Sequence, residues 1–237
     1  RYTMKMVDDC SGFVWGTTFK SKKHAVRALM EFLDWLKQQK SVATKTIYDT
    51  NCLRSDRGGE FTSRPTSVGR KRSLFDKICK KMNISRRLTS AKSPNQNGKA
   101  ERANRTLFNA MRCNLMDSGM GWNYWGDAYR TGLEAKNCVP GENGKLSKFE
   151  RFYGFAPSYK RLMPFGATGF IEHVTDKKAI TRAVCGRMIG YPKDTKGWLF
   201  IKENGQLEAT SHARFDTRNY MERAKAVGQE EPVNQGF

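Results

Sequence analysis

Two carboxylates stand in contexts suited to metal-dependent chemistry. Asp56 follows the β-prone run Cys52–Ser55 and precedes the flexible pair Gly58-Gly59. Glu101 falls in the first turn of a helical pattern, just after the polar loop Ser90–Gly98 (SAKSPNQNG). Carboxylates at strand and helix ends can converge on a divalent cation, because Mg²⁺ takes hard oxygen ligands and keeps several waters. Two such ions about 3.5–4 Å apart clamp the attacking and leaving oxygens of an in-line phosphoryl displacement. Plainer roles stay open for both residues. Glu101 can stabilise a helix dipole or pair with Arg105 at i,i+4, and Asp56 suits a turn. Spacing alone does not choose between them.

The charge balance adds a partner. The 237 residues carry 43 Lys+Arg against 23 Asp+Glu, a formal net charge of +20. Solubility asks for a net charge of only about 2–8 in a small domain, so a polyanion is the expected partner. Arg70, Lys71, Arg72, Lys77, Lys80, Lys81, Arg86 and Arg87 surround a single acid, Asp76. Such a cluster can track DNA phosphates with little base preference. Lys99, Arg102 and Arg105 flank Glu101 and can position DNA or neutralise transition-state charge; for Arg105, pairing within the helix is equally open. Lys177, Lys178, Arg182, Arg187, Lys193 and Lys196 can add DNA contact further on.

Other chemistries are poorly served. The six cysteines contain no C-x-x-C pair and the three histidines have no ligand spacing, which argues against zinc. Unclustered cysteines suit small core positions in a reducing compartment. No apolar run approaches the ~18 residues of a membrane span, and the first residues lack the apolar stretch of a signal peptide. No membrane partner is expected.

The elements that must position the two acids follow from periodicity. Tyr2–Val7 and Phe13–Phe19 alternate around Asp8-Asp9-Cys10-Ser11-Gly12 and predict a β-hairpin. Ser21 is a candidate cap, and Ala25, Leu29, Phe32, Leu33 and Leu36 predict an amphipathic helix. Thr46–Tyr48 and Cys52–Ser55 predict a third strand region. Leu74, Ile78 and Met82 predict a basic-faced helix within residues 70–87, followed by a short strand at Ile84–Leu88. From Lys99 the chain is helical, with Ala103, Leu107, Ala110 and Met111 on one face, until Gly119-Met120-Gly121. Trp122–Cys138 predicts another helix, and Trp122, Tyr124 and Trp125 read as core. After Gly166 the texture changes to short β-prone runs, Thr168–Val174, Ala183–Tyr191, Gly197–Ile201 and Leu207–Ser211, which predict a small antiparallel barrel. Trp198, Phe200 and Phe215 are its expected core. The order predicts a mixed α/β domain over residues 1–160, an all-β module over 161–220 and a polar tail over 221–237.

Leu53-Arg54-Ser55-Asp56-Arg57-Gly58-Gly59-Glu60-Phe61 and Ser93-Pro94-Asn95-Gln96-Asn97-Gly98-Lys99-Ala100-Glu101-Arg102, with Asn104-Arg105-Thr106-Leu107, resemble the integrase core of copia-type LTR retrotransposons. Val7–Ser11, Tyr124–Ala128, Phe165-Gly166, Gly190-Tyr191, Lys196-Gly197 and Phe215-Asp216 continue the resemblance in the same order, to about residue 220. It implies an RNase H-like fold, a mixed sheet with flanking helices, followed by an SH3-like barrel. Asp56 and Glu101 match the second and third acidic metal ligands, for Mg²⁺ or Mn²⁺. The loop before Glu101 matches the family's active-site loop, so Gln96, Asn97 and Lys99 become candidate DNA contacts. The implied reaction trims the 3′ ends of element DNA and joins them to target DNA. Integrase subunits as homo-oligomer partners are implied too, with action in the nucleus by way of cytoplasmic virus-like particles.

Two departures qualify the resemblance. The family's first catalytic Asp lies on the strand before Tyr2–Val7, so this chain is expected to be a piece of a longer polyprotein, inactive alone. Asp8 and Asp9 occupy the hairpin-turn position, where turn chemistry is the expected role. The interval between Asp56 and Glu101 is also longer than the family's usual one, with the surplus placed in the basic loop Arg64–Arg72; surface insertions cost little. The alternative function is a non-enzymatic DNA-binding relic or a host-adopted protein of integrase descent.

Overall fold

The computed structural model describes residues 2–39, 50–56, 58, 64–66, 69–71, 73–89, 98–141, 144–172, 183–192 and 195–216. Contacts divide the chain into two compact units, Arg1–Ala110 with Gly132–Tyr159, and Met111–Thr131 with Lys160–Phe237.

In the first unit, β1 (Tyr2–Val7) pairs antiparallel with β2 (Val14–Phe19), from Tyr2↔Phe19 to Val7↔Val14. The predicted turn closes the hairpin. Ser11 donates to Asp8 Oδ2 from its backbone N–H at 2.7 Å and from its hydroxyl at 2.6 Å, which is the local side-chain bonding that favours Asp in turns. Ser21 caps a single 3₁₀ turn, Lys22–His24, ahead of α1 (Ala25–Gln38). The buried residues of α1 are Ala25, Ala28, Leu29, Phe32, Leu33 and Leu36, the stripe that the 3.6-residue period demands. Phe13 stacks on Phe152 with ring centroids 4.5 Å apart, and Trp35 and Trp15 extend the aromatic cluster.

A second small sheet carries β3 (Cys52–Ser55) parallel to β6 (Ser85–Leu88). Between them lie the hairpin strands β4 (Arg64–Thr66) and β5 (Gly69–Lys71), and α2 (Leu74–Lys81). The basic-faced helix is thus shorter than its charge run. Arg70 and Lys71 belong to β5, and a capping box between Ser73 and Asp76 starts the helix only at Leu74. Its buried side chains are Phe75 and Cys79; of the predicted stripe, Ile78 and Met82 pack against the core, whereas Leu74 is 62 % exposed. Thr46–Tyr48 lies outside the described residues.

α3 (Gly98–Ser118) is followed by a 3₁₀ turn at Trp122–Tyr124, α4 (Trp125–Cys138) and α5 (Lys148–Tyr153). The unit division falls within α3 and within α4. Trp125 is buried as expected, whereas Trp122 is 64 % exposed and is not core. It sits on the 3₁₀ turn ahead of the helix and not on α4's own stripe.

The second unit holds a five-stranded antiparallel sheet of β7 (Thr168–Glu172), β8 (Ala183–Gly190), β9 (Trp198–Lys202), β10 (Leu207–Thr210) and β11 (Ala213–Phe215). Their order is β10-β9-β8-β7-β11. Ile171, Met188 and Phe200 are fully buried, with Trp198 and Phe215 packed on them. Arg187 donates to the Gly166 carbonyl through Nε at 3.0 Å and also to the Ser118 carbonyl. Its guanidinium therefore holds the unit together, and the expected DNA role gives way to a structural one. Cys79 and Cys138 are buried; Cys10, Cys52, Cys113 and Cys185 are exposed, and all six are free thiols.

Candidate active site and basic surface

Asp56 directly follows β3, whose last residue is fixed from two sides. Arg86 on β6 donates to the Ser55 hydroxyl at 3.0 Å and forms an ion pair with Asp76 at the start of α2. Its guanidinium also lies over the Phe75 ring, 5.3 Å from the centroid. Arg86 is thus a structural pin and not an open phosphate contact. Asp56 itself is exposed, and one of its oxygens accepts from the Gly58 N–H at 3.0 Å. Among the described residues this is its one donor, and a carboxylate has acceptor capacity for more.

Glu101 is exposed in the first turn of α3. It makes no hydrogen bond or ion pair with Arg105, so the i,i+4 reading finds no support in the geometry. The two acids, far apart in sequence, meet in their effect on Lys5 of β1. Burial pushes the Lys5 ammonium below the ordinary lysine value, while the charges of Asp56 and then Glu101 push it back up. One strand position therefore lies within electrostatic reach of both carboxylates. Lys5 carries no motif and is one of 43 basic residues, so sequence reading passes over it; on β1 it alternates with the buried Met4.

Asp8 is committed to the turn. Asp9 accepts from the Lys99 ammonium through both its backbone carbonyl and its side chain, and that partner holds its carboxyl below the usual range. Lys99 thereby ties the start of α3 to the hairpin turn. Arg102 and Arg105 are exposed on α3. Arg70 and Lys71 lie on β5; Arg72, Gln96 and Asn97 lie outside the described residues. On α2 and β6, Lys77, Lys80, Lys81 and Arg87 are all exposed.

Among the described residues, no three His, Cys, Asp or Glu side chains come together as a metal cage. The donor set nevertheless fits the way Mg²⁺ is commonly held, by one or two carboxylates with substrate phosphates and water completing the shell. Asp56 and Glu101 supply two exposed carboxylates. No described helix is long and apolar enough to cross a membrane.

No family model matches the chain. Sequence relatives are nonetheless found among mobile elements. The chain is 27% identical over 202 residues to the retrovirus-related Pol polyprotein from transposon TNT 1-94 of Nicotiana tabacum, covering 84% of this chain and 14% of that protein. It is 24% identical over 224 residues to the Pol polyprotein from transposon RE1 of Arabidopsis thaliana, covering 91% and 14%. Among solved structures, the catalytic core domain of BIV integrase aligns with a TM-score of 0.46 at 19% identity, over 64% of this chain and 84% of that one. Homologues of the chain are therefore retrotransposon Pol polyproteins. The chain spans 14% of the length of the two relatives described.

Proposed function

We propose that the chain is the catalytic-core and adjoining β-module portion of a retrotransposon integrase of the copia type, with an RNase H-like core over residues 1–160, an SH3-like module over 161–220 and a polar tail after it. The observation that carries this reading is Lys5, on which the charges of Asp56 and Glu101 both act. Acids from the end of a strand and the start of a distant helix share one neighbourhood, as a metal-dependent phosphoryl-transfer site needs. The partner is DNA, as the net charge of +20 supports.

In this reading Asp56 and Glu101 hold Mg²⁺ or Mn²⁺, which supplies charge neutralisation to an in-line displacement at phosphorus. The chain's own residues do the rest. Gly58 orients the Asp56 carboxylate through its N–H, which leaves the second oxygen to face a ligand. Lys5 places fixed positive charge beside the pair and reduces their mutual repulsion. Lys99 fixes the entry of α3, and so the direction of Glu101, by its hold on Asp9. Arg102 and Arg105, on the surface of the same helix, are placed to meet DNA phosphates. A third carboxylate comes from a preceding strand in this proposal. β1 and β3 each have one strand partner among the described residues.

Joining of a duplex with recessed 3′ ends to a plasmid tests the proposal, comparing this chain with a longer segment of its polyprotein. The longer segment is expected to join DNA with Mg²⁺ or Mn²⁺ and to lose joining on Glu101→Gln. Joining that survives both Asp56→Asn and Glu101→Gln would contradict the site assignment.

A further inference from the structure

A second cluster of charge lies on another face of α3. A cavity of about 220 Å³ is lined by Val7, Gly12 and Val14 from the hairpin, by Lys99, Arg102, Ala103, Thr106 and Leu107 from α3, and by Lys136 and Lys148 from α4 and α5. Glu101 does not line it, and neither does Asp56.

The cations in this cavity are held there by the fold. Asn137 bonds to both backbone groups of Val14, with Val14 N–H donating at 3.0 Å and Nδ2 donating to its carbonyl at 2.8 Å. That clamp seats the end of α4 on β2 and brings the adjacent Lys136 to the rim. Ser147 caps α5 in a capping box with Glu150, which sets Lys148 as the first helical residue. The Lys148 stem then runs along the hairpin turn. A Cβ added at Gly12, where φ is +74, would lie 3.8–3.9 Å from three of its side-chain carbons.

Lys99 is neutralised by Asp9. Arg102, Lys136 and Lys148 have no carboxylate partner among the described residues. Lys136 and Lys148 are both half-buried. Burial pushes the Lys148 ammonium below the ordinary value, and the like charge of Lys136 lowers it further. A desolvated lysine with a like charge beside it, both facing one cavity, is a cost that an anion would offset. The apolar floor of Val7, Val14, Ala103 and Leu107 strengthens any charge pairing made there. The size of the cavity sets the ligand class. It is smaller than the ~300–1,000 Å³ of pockets for drug-sized ligands, yet it has room for several waters.

We propose that this cavity is a phosphate-binding site, with Lys136, Lys148 and Arg102 as its donors and a phosphate or pyrophosphate group as its ligand. The phosphate comes either from a free small anion or from the phosphorylated end of a nucleic-acid strand. The site is separate from the two carboxylates, and its test does not depend on them.

Calorimetric titration of the chain with inorganic pyrophosphate, at low ionic strength, tests the proposal. A parallel arm compares a 5′-phosphorylated with a 5′-hydroxyl oligonucleotide. Saturable pyrophosphate binding is expected, weakened at least tenfold by the double variant Lys136→Gln, Lys148→Gln and unchanged by Lys23→Gln, which is exposed on the 3₁₀ turn ahead of α1. If only the phosphorylated oligonucleotide saturates, with the same dependence on Lys136 and Lys148, the site takes a strand end. Because Lys148→Gln removes a desolvated charge, the double variant should unfold at the same or a higher temperature. Binding of both ligands that is equal in the double variant would overturn the proposal, as would no saturable binding of either ligand.

Discussion

Asn137 on α4 and Val14 on β2 are 123 residues apart and satisfy each other's hydrogen bonds in both directions, at 3.0 and 2.8 Å, with both residues buried. The first backbone position of β2 is thereby paired by a side chain where β1 does not supply the bond. Removing the amide leaves two buried backbone groups without partners, so Asn137→Ala is expected to destabilise the fold by roughly 2–4 kcal/mol. Urea denaturation should show a lower midpoint at an unchanged slope. An unchanged midpoint would mean that the clamp is not needed.

Gly197, which precedes β9, has φ +121, and an added Cβ would lie 2.1 Å from the Thr210 carbonyl oxygen. Backbone cannot yield there as a side-chain tip would. Gly197→Ala is expected to cost roughly 2–3 kcal/mol through strain and overpacking, read as a lower melting temperature.

The surface cations of α2 bear on DNA affinity. Lys77, Lys80 and Lys81 are exposed, and each phosphate contact adds about 0.9 to the slope of log K against log salt for B-DNA. The triple variant to Gln is expected to flatten that slope by roughly 2–3 if all three contact phosphate, with little change among DNA sequences. A slope equal to the parent's would place DNA elsewhere on the protein.

Acid sensitivity follows from the α5 cap. The Ser147 hydroxyl and backbone N–H hold the Glu150 carboxyl below the usual glutamate value. Its contribution is therefore complete above the unfolded value and is lost as pH falls through the lower folded value. The stability difference between the parent chain and Glu150→Gln should be present at pH 7 and shrink below pH ~4.5. A difference that grew on acidification would contradict the assignment.

Legibility in the sequence varied with the kind of interaction. The hairpin and α1 could be read because one buried face imposes a period, and their apolar residues follow it. The five-stranded sheet was legible in four of its strands; β11 was missed because Ala213–Phe215 is too short to show alternation. α5 was missed for the same reason, although its Ser147 to Glu150 capping signature stands in the sequence. Charge runs misled where sequence cannot separate a paired cation from an exposed one. Arg86 and Arg187 look like their neighbours but are bound to Asp76 and to backbone carbonyls. Asp56 and Glu101 stand out by local context, whereas Lys5 and the Lys136–Lys148 pair acquire meaning only when distant elements pack.

The most direct test of the central claim is Mn²⁺ binding to the chain, followed by the paramagnetic signal of the free ion. Asp56→Asn and Glu101→Gln are each expected to weaken binding at least tenfold, with the double variant little worse than either single one because the two carboxylates serve one ion. Lys5→Met should tighten it several-fold by removing a competing positive charge. Mn²⁺ affinity that is indifferent to both carboxylates would contradict the assignment of Asp56 and Glu101 as a shared metal site.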